Sequence, residues 1–353
     1  MASDTNTAWM SWETRVQQTT ERFLTWRKKR AQARKARQKR RNPVVDWIDA
    51  IASAVVIVLV INQYLLQAYQ IPSPSMEPTL IGDSANPRNN DRIFVNKIIY
   101  GPELIPGMLK MPGFRLPARG DVIIFESPEY ISSGPIKDIL QRIVYMVTLS
   151  LVDIDKDENG QPKHHFLIKR AIGMQGDRLR MREGDVEILT PGEATWMPES
   201  DLKKALGMNY PSDRRISPDQ YPIFKAEGIG RALMLVGLPV SKDLQDAISK
   251  YYAVQTDSSG DVHFQLIALN DEKYVELWQR RTQWAMEPFN SIAAANWRFL
   301  QEGYYVPVGR IFPMGDNRDN SRDARYFGTV SLDKVLGKGM FKYWPVYRIG
   351  VIR

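Results

Sequence analysis

The stretch "AIASAVVIVLVINQYLLQAY" most restricts what this chain can be: 20 consecutive residues without a charge, Ala50 to Tyr69. As an α-helix, about 20 residues span roughly 30 Å, the thickness of a bilayer's hydrocarbon core. Trp47 and Tyr69 flank the run as an aromatic belt does. A cleaved signal peptide has a shorter apolar region, nearer the N-terminus. The run therefore reads as one uncleaved transmembrane anchor over 47–69. A buried core helix is the alternative, and the length and flanks argue against it.

Charge orients the anchor. The net charge of +8 is not spread over the chain. Residues 1–45 hold 12 Lys/Arg against 3 Asp/Glu, whereas the rest holds 36 against 37. A nucleic-acid-binding body would carry its basicity on the folded surface, so that class is excluded. Ten of the cations lie in "RKKRAQARKARQKRR", residues 27–41. The positive-inside rule puts this arm, residues 1–46, in the cytoplasm beside anionic lipid. Everything after Tyr69 is then outside. Trp9, Trp12, Phe23 and Trp26 mark 1–26 as a candidate interfacial helix. The chain has no Cys, which excludes disulfides, zinc–thiolate sites, iron–sulfur clusters and a thiol nucleophile.

Beyond the anchor, "RIFVNKIIY", "ARGDVIIFESP" and "HHFLIKRAIGMQGDRLRM" read as strands and turns. The segment 131–163 contains "IVYMVTLSLV", an apolar run too short to cross a bilayer. It reads as a hairpin strand or a piece that dips into the interface. Residues 178–310 are less regular and form an inserted α+β subdomain. There "DVEILT", "RALMLVGL" and "DVHFQLIAL" read as strands, and "SKDLQDAISKYY" and "DEKYVELWQRRTQWAM" as helices. Strand–turn–strand patterning returns over 311–353.

The stretch "QIPSPSMEPTL" follows the anchor directly. Pro72 and Pro74 bracket Ser73, and proline biases its predecessor towards extended geometry. Such stiffening suits a nucleophile and equally a structural turn. For a base, the three histidines are poor candidates. His164 and His165 point to opposite faces of a strand and read as surface residues near a turn, and no partners stand at metal-ligand spacing around them or His263. Lys169 is the other candidate. In "FLIKRAIG" the strand period places it between Leu167 and Ala171 on one face, opposite Phe166, Ile168 and Arg170. Burial there would lower its pKa and free its amine as a base for a serine. Most strand lysines are nevertheless surface residues.

The ordered motifs "IPSPSMEPTL", "RGDVIIF", "IKRAIGMQGD" and "MGDNRDNSRDARYFG", with the final "YWPVYRIG", resemble those of bacterial type I signal peptidases (leader peptidases). The resemblance implies a Ser/Lys protease of the bacterial inner membrane that removes signal peptides from exported preproteins at its outer face. It implies an acyl-enzyme on Ser75, Lys169 as general base, and an oxyanion hole from the Ser73 side chain and the Ser75 amide. It implies Ser321 as the hydroxyl that orients the lysine, and Asp323 with Arg325 as a structural ion pair whose i, i+2 spacing fits one strand face. It implies that Asp316 holds the loop in shape. Ile71, Pro72, Met76, Leu80, Leu167 and Ile168 wall a pocket for small −1 and −3 residues. No metal or cofactor enters, and the secretion translocon and membrane lipid are the implied partners.

The sequence departs from the family pattern at Pro74, where many members have Gly or another small residue. The loop Ser84–Asp91 interrupts the usual strand, leaving Asp83 or Asp91 as the matching acid. A self-cleaving repressor-type Ser/Lys protease shares the dyad, but is soluble and carries a DNA-binding domain. A catalytically dead tether would not retain Ser75, Lys169 and Ser321. The expected fold is mainly β: an antiparallel catalytic domain over 70–177 and 311–353, the 178–310 insertion, and one transmembrane helix ahead of them.

The charge asymmetry is testable in a chain without native cysteine. In intact spheroplasts, a membrane-impermeant thiol reagent should label Ser259→Cys and not Ala36→Cys. The reverse pattern would invert the topology.

Overall fold

The computed structural model describes residues 14, 16–30, 43–83, 87–105, 109–130, 165–182, 184–212, 214, 216, 220–255 and 263–352, together with 134, 137, 140–142, 144, 145 and 148. Two compact units divide between Ile57 and Val58. In the first, positions 16–30 are helical. The Phe23 and Trp26 rings stack at 6.1 Å, and the Arg30 guanidinium lies 4.1 Å over Trp26. Trp9, Trp12 and most of the basic tract lie outside the described residues.

Helix α1 (Pro43–Tyr64) has 22 residues, about 33 Å at 1.5 Å per residue. Pro43 occupies the first turn, where its missing N–H costs nothing, and Asp46 faces the positive end of the helix dipole. Among the described residues this is the one helix long and apolar enough to cross a membrane. The uncharged run outlasts the helix, however. Leu66–Gln70 is strand β1, so the helix expected over 47–69 stops at Tyr64. Gln67, Ala68 and Tyr69 are buried there, and the Tyr69 hydroxyl donates to Gln67 Oε1 at 3.0 Å. Backbone pairing and a satisfied glutamine make a strand better for these residues than another helical turn.

The strands continue as β2 (Arg92–Asn96), β3 (Glu103–Ile105), β4 (Leu109–Lys110), β5 (Val122–Glu126), β6 (Phe166–Gly173), β7 (Arg178–Arg182), β8 (Asp185–Leu189), β9 (Met197–Pro198), β10 (Tyr304–Tyr305), β11 (Arg310–Met314), β12 (Val330–Ser331), β13 (Val335–Trp344) and β14 (Gly350–Val351). The main sheet is antiparallel and eight-stranded, in the order β1-β2-β13-β5-β6-β11-β12, with β14 on β13. Register shifts in β11 and along β13 interrupt its ladders. Such bulges bend and twist a strand, and they curl this sheet into a half-barrel.

Strand β5 is buried on both faces, which is why "VIIF" reads as an unbroken apolar run. Val122 and Ile124 pack with Ile71, Met76, Leu80, Ile93, Val95 and Ile168. Ile123 and Phe125 pack on the other face with Ala171, Ile311 and Val335. Of the two acids left open, Asp91 is the one built into the fold. It is fully buried, Arg348 donates to both its oxygens at 2.8 and 3.0 Å, and the Ile81 amide donates to it at 2.8 Å. Asp83 is exposed.

Between β6 and β11 the chain makes a long excursion and returns to its start. Strand β10 pairs β7, and the sheet order is β10-β7-β8-β9. Helices α2 (Glu199–Ala205), α3 (Tyr221–Leu235), α4 (Lys242–Gln255), α5 (His263–Met286) and α6 (Ser291–Glu302) follow β9 in chain order. Two expected strands are helical. Residues 231–235 of "RALMLVGL" complete α3, and 263–269 of "DVHFQLIAL" open α5. Phe224, Gly228 and Ala232 are buried at helical spacing. At Gly228 a Cβ would meet Val275 O at 2.5 Å, so α3 and α5 approach too closely there for any side chain. Short apolar runs do not separate strand from buried helix. Most of 131–163 lies outside the described residues.

Phe125 tests the two-sided core. It is fully buried, so Phe125→Ala should cost about 3–5 kcal/mol. The readout is a lower denaturant midpoint at unchanged m-value in detergent.

Candidate active site

Ser75 sits in the 3-10 turn Pro74–Met76, directly after Ser73. Ser73 is extended (φ −136, ψ 156), as a residue before proline should be. The Ser73 hydroxyl donates to Ser75 Oγ at 3.2 Å. The turn is held from outside as well. The Asn317 amide donates to Ser75 O at 3.2 Å, and Asn317 Nδ2 donates to Pro74 O at 3.1 Å. Gly315 passes so close that a Cβ there would stand 2.4 Å from Ser75 O and 2.3 Å from Ser321 Oγ. Pro74 takes the first position of the turn, where its fixed φ fits.

Lys169 lies on β6 opposite Ile123 of β5 and is 3% exposed. Its Nζ donates to Ser75 Oγ at 2.6 Å. Burial lowers its pKa from the ordinary lysine value to about 8; the Asp323 and Asp316 carboxylates pull it back up, and Arg325 opposes them. At an ordinary pKa of about 10.4, roughly one lysine in 2500 is neutral at pH 7; at about 8 the fraction is about one in ten.

Each carboxylate is itself matched. Asp316 is fully buried and accepts from Arg170 Nε at 2.7 Å and Arg170 Nη2 at 2.6 Å, while Thr79 Oγ1 donates to it at 2.5 Å. Arg170 Nη1 donates to Gly120 O at 2.7 Å. Asp323 is fully buried too, and both its oxygens accept from Arg325 at 2.9 Å. Burial pushes the Asp323 carboxyl up, but the Arg325 guanidinium and the Gly315 amide outweigh it, so the net shift is downward. The pair does not share a strand face as the spacing implied. Asp323 caps helix α7 (Ala324–Phe327) and accepts from the Arg325 amide, which brings Arg325 back onto it.

Ser321 is buried, and among the described residues its hydroxyl finds no hydrogen-bond partner of ordinary geometry; it lies beside the Asp323 carboxylate and helps to lower its pKa. Ile71, Met76, Leu80 and Ile168 belong to one core cluster, and Leu167 packs against another. Pro72 is exposed. His165 corrects its expected surface position. It is buried, with Nε2 at 3.0 Å from Arg142 Nη2, and its ring lies against Tyr130 and Phe166. None of those is a site residue. His164 lies outside the described residues.

Arg170, Thr79 and Asn317 were not singled out from sequence. Arg170 carried a signal: a guanidinium inside the run "FLIKRAIG" must find a buried partner. Asn317 and Thr79 carried none.

The description "Signal peptidase, peptidase S26" belongs to a family model that matches residues 44–223 and 260–344. Signal peptidase I of Buchnera aphidicola subsp. Acyrthosiphon pisum is 25% identical over 289 residues, 81% of this chain and 70% of the relative. Signal peptidase I of Haemophilus influenzae is 24% identical over 306 residues, covering 84% and 68%. Signal peptidase I of Pseudomonas fluorescens is 25% identical over 316 residues, covering 86% and 74%. With the family model matched over most of its length and a buried serine–lysine contact at its centre, the chain belongs to the signal peptidase family, peptidase S26, and is a serine peptidase.

Proposed function

We propose that this chain is a membrane-anchored endopeptidase that removes N-terminal signal peptides from exported preproteins, with Ser75 as nucleophile and Lys169 as general base. The observation that carries the reading is the 2.6 Å contact between Ser75 Oγ and a lysine amine whose pKa burial has lowered to about 8.

The neutral Lys169 amine takes the Ser75 proton as Oγ attacks the scissile carbonyl carbon. The carbonyl oxygen becomes an oxyanion, for which the Ser73 hydroxyl and the Ser75 amide are the donors. The Ser73 hydroxyl points at Ser75 Oγ in the resting enzyme and turns to the oxyanion as charge develops. The Lys169 ammonium then protonates the leaving amine, and the mature protein departs. Water, activated by the same amine, attacks the acyl-enzyme ester and frees the signal peptide.

Ser321, buried beside the Asp323 carboxylate, orients the Lys169 amine when the nucleophile is engaged. Asp323 with Arg325 and Asp316 with Arg170 hold the loop and set the field at Lys169. Ile71, Pro72, Met76, Leu80, Leu167 and Ile168 wall the −1 and −3 subsites; for Met76 and Leu80, both fully buried, this is a role in backing the subsites rather than lining them. Residues 70–177 and 311–353 form the catalytic domain and 178–310 the insertion. The anchor holds this body outside the bacterial cytoplasmic membrane, with the basic arm inside against lipid. There it meets preproteins as they leave the translocon.

Lys169→Ala and Ser75→Ala should each lower cleavage of a signal-peptide substrate by at least about 10²-fold with the fold intact. His165→Ala should keep most of the turnover. Ser73→Ala should lower kcat on the order of 10²–10³-fold, the usual loss for one oxyanion donor. Near-normal turnover by Lys169→Ala would remove the dyad.

The pH profile follows from the sign of the shift. Only the deprotonated amine is a base, so the rate should rise with pH and reach half its plateau near pH 8. A flat profile from about pH 6 to about pH 9 would count against a titrating lysine.

A further inference from the structure

The loop between β11 and α7 touches both halves of the dyad. Asn317 holds the backbone of Ser75, and Asp316, Asp323 and Arg325 set the charge around Lys169. Part of what holds the loop itself comes from the excursion 178–310, to which the mechanism assigns no role. Arg318 is the central strut. Its Nε donates to Gly315 O at 2.9 Å, and its carbonyl accepts from Arg325 Nη2 at 2.6 Å. Its outer nitrogens grip Glu199 of α2, with Nη2 at 2.7 Å from Oε1 and Nη1 on Oε2. The Tyr210 hydroxyl donates to the same Glu199 oxygen at 2.8 Å. Glu199 is 6% exposed and Arg318 2%. The next residue is held too. Asp319, 1% exposed, accepts from Arg214 Nε at 2.9 Å and from the Ile216 amide at 2.8 Å.

On the Arg325 side the loop borders open space. A cavity of about 140 Å³ lies there, lined by Arg325, Arg214, Met181, Tyr274, Leu277 and Tyr304. A fork of paired, charge-assisted bonds fixes position and orientation together.

We propose that Glu199 and Arg214 are positioning residues for the proteolytic site. They act through Arg318 and Asp319 to hold the loop 315–325 against Ser75 and Lys169. The inference rests on the Ser75–Lys169 reading. Under it, the excursion clamps the loop that carries the site's charges.

The test uses the full-length chain in detergent with a signal-peptide substrate. Glu199→Gln keeps an acceptor for Tyr210 but leaves the Arg318 charge unmatched. Its kcat should fall about tenfold or more, since a displacement of about 1 Å can cost 10²-fold. KM should stay within about threefold, because no substrate contact is lost. Arg214→Gln, at a site one-fifth exposed, should show the same kcat loss more weakly, and it carries the test if Glu199→Gln does not fold. The control is Glu187→Gln, which breaks the 2.6 Å pair with Arg180 in the same excursion without touching the loop. It should lower the thermal midpoint and leave kcat unchanged. Wild-type kcat in the folded variants, or an equal kcat loss in Glu187→Gln, overturns the inference. Lys169→Ala run alongside separates the two readings. If it is inactive while the clamp variants keep full activity, the clamp alone fails. If it is active, the dyad itself is wrong.

Discussion

A lysine sealed inside a protein loses its hydration, and that loss is the physical fact on which this site rests. The pKa of Lys169 drops from 10.5 to about 8 because burial outweighs every charge around it. One pKa unit corresponds to about 1.4 kcal/mol, so holding the ammonium there costs on the order of 3 kcal/mol. The sign runs against stability. The folded pKa lies below the unfolded one, so the penalty is full below about pH 8 and fades as pH rises towards the unfolded value. A core optimised for stability alone would carry an apolar residue here. The proposed role of Lys169, a general base for serine at near-neutral pH, requires that lowered value.

The surrounding carboxylates would undo this effect if they stood free. Asp316 and Asp323 both favour the ammonium, and unpaired they would return its pKa towards the ordinary value. Each is instead matched by a guanidinium: Arg170 grips Asp316 through two nitrogens and Arg325 grips Asp323 through two. Buried ion pairs of this kind add little net stability compared with well-packed apolar groups. What they supply is geometry. They place the 315–325 loop so that Asn317 meets the serine turn, and they keep the field at Lys169 close to balance. Arg318 and Asp319 extend the same logic outwards to Glu199 and Arg214.

The two kinds of periodicity in the sequence were not equally legible. Strand β5 was visible because a two-sided buried strand is an unbroken apolar run, and α1 because a bilayer-length uncharged run has few alternatives. "RALMLVGL" and "DVHFQLIAL" misled because a short apolar run does not separate a strand from a stretch of helix, and both belong to helices. Tyr69 misled for a related reason: an uncharged run does not reveal where a helix hands over to a strand, and the pairing of Leu66–Gln70 with β2 decides that. His165 looked like a surface residue near a turn, but Arg142, Tyr130 and Phe166 enclose it.

Local chemistry written in the chain determined the candidate groups: an orienting charge asymmetry, a proline-stiffened Ser73–Ser75 segment, and a lysine in an apolar strand. Those are properties of neighbours in sequence, and short-range sterics and burial patterns express them directly. Tertiary structure alone decided which groups meet. Ser75 and Lys169 are 94 positions apart, and Arg170 and Asp316 are 146 apart. Glu199 reaches Arg318 across 119. No periodicity carries information over such spans. The lowered lysine pKa, the N-cap that folds Arg325 onto Asp323, and the contacts of Glu199 and Arg214 with the loop 315–325 exist only once the antiparallel sheet has brought those segments into contact.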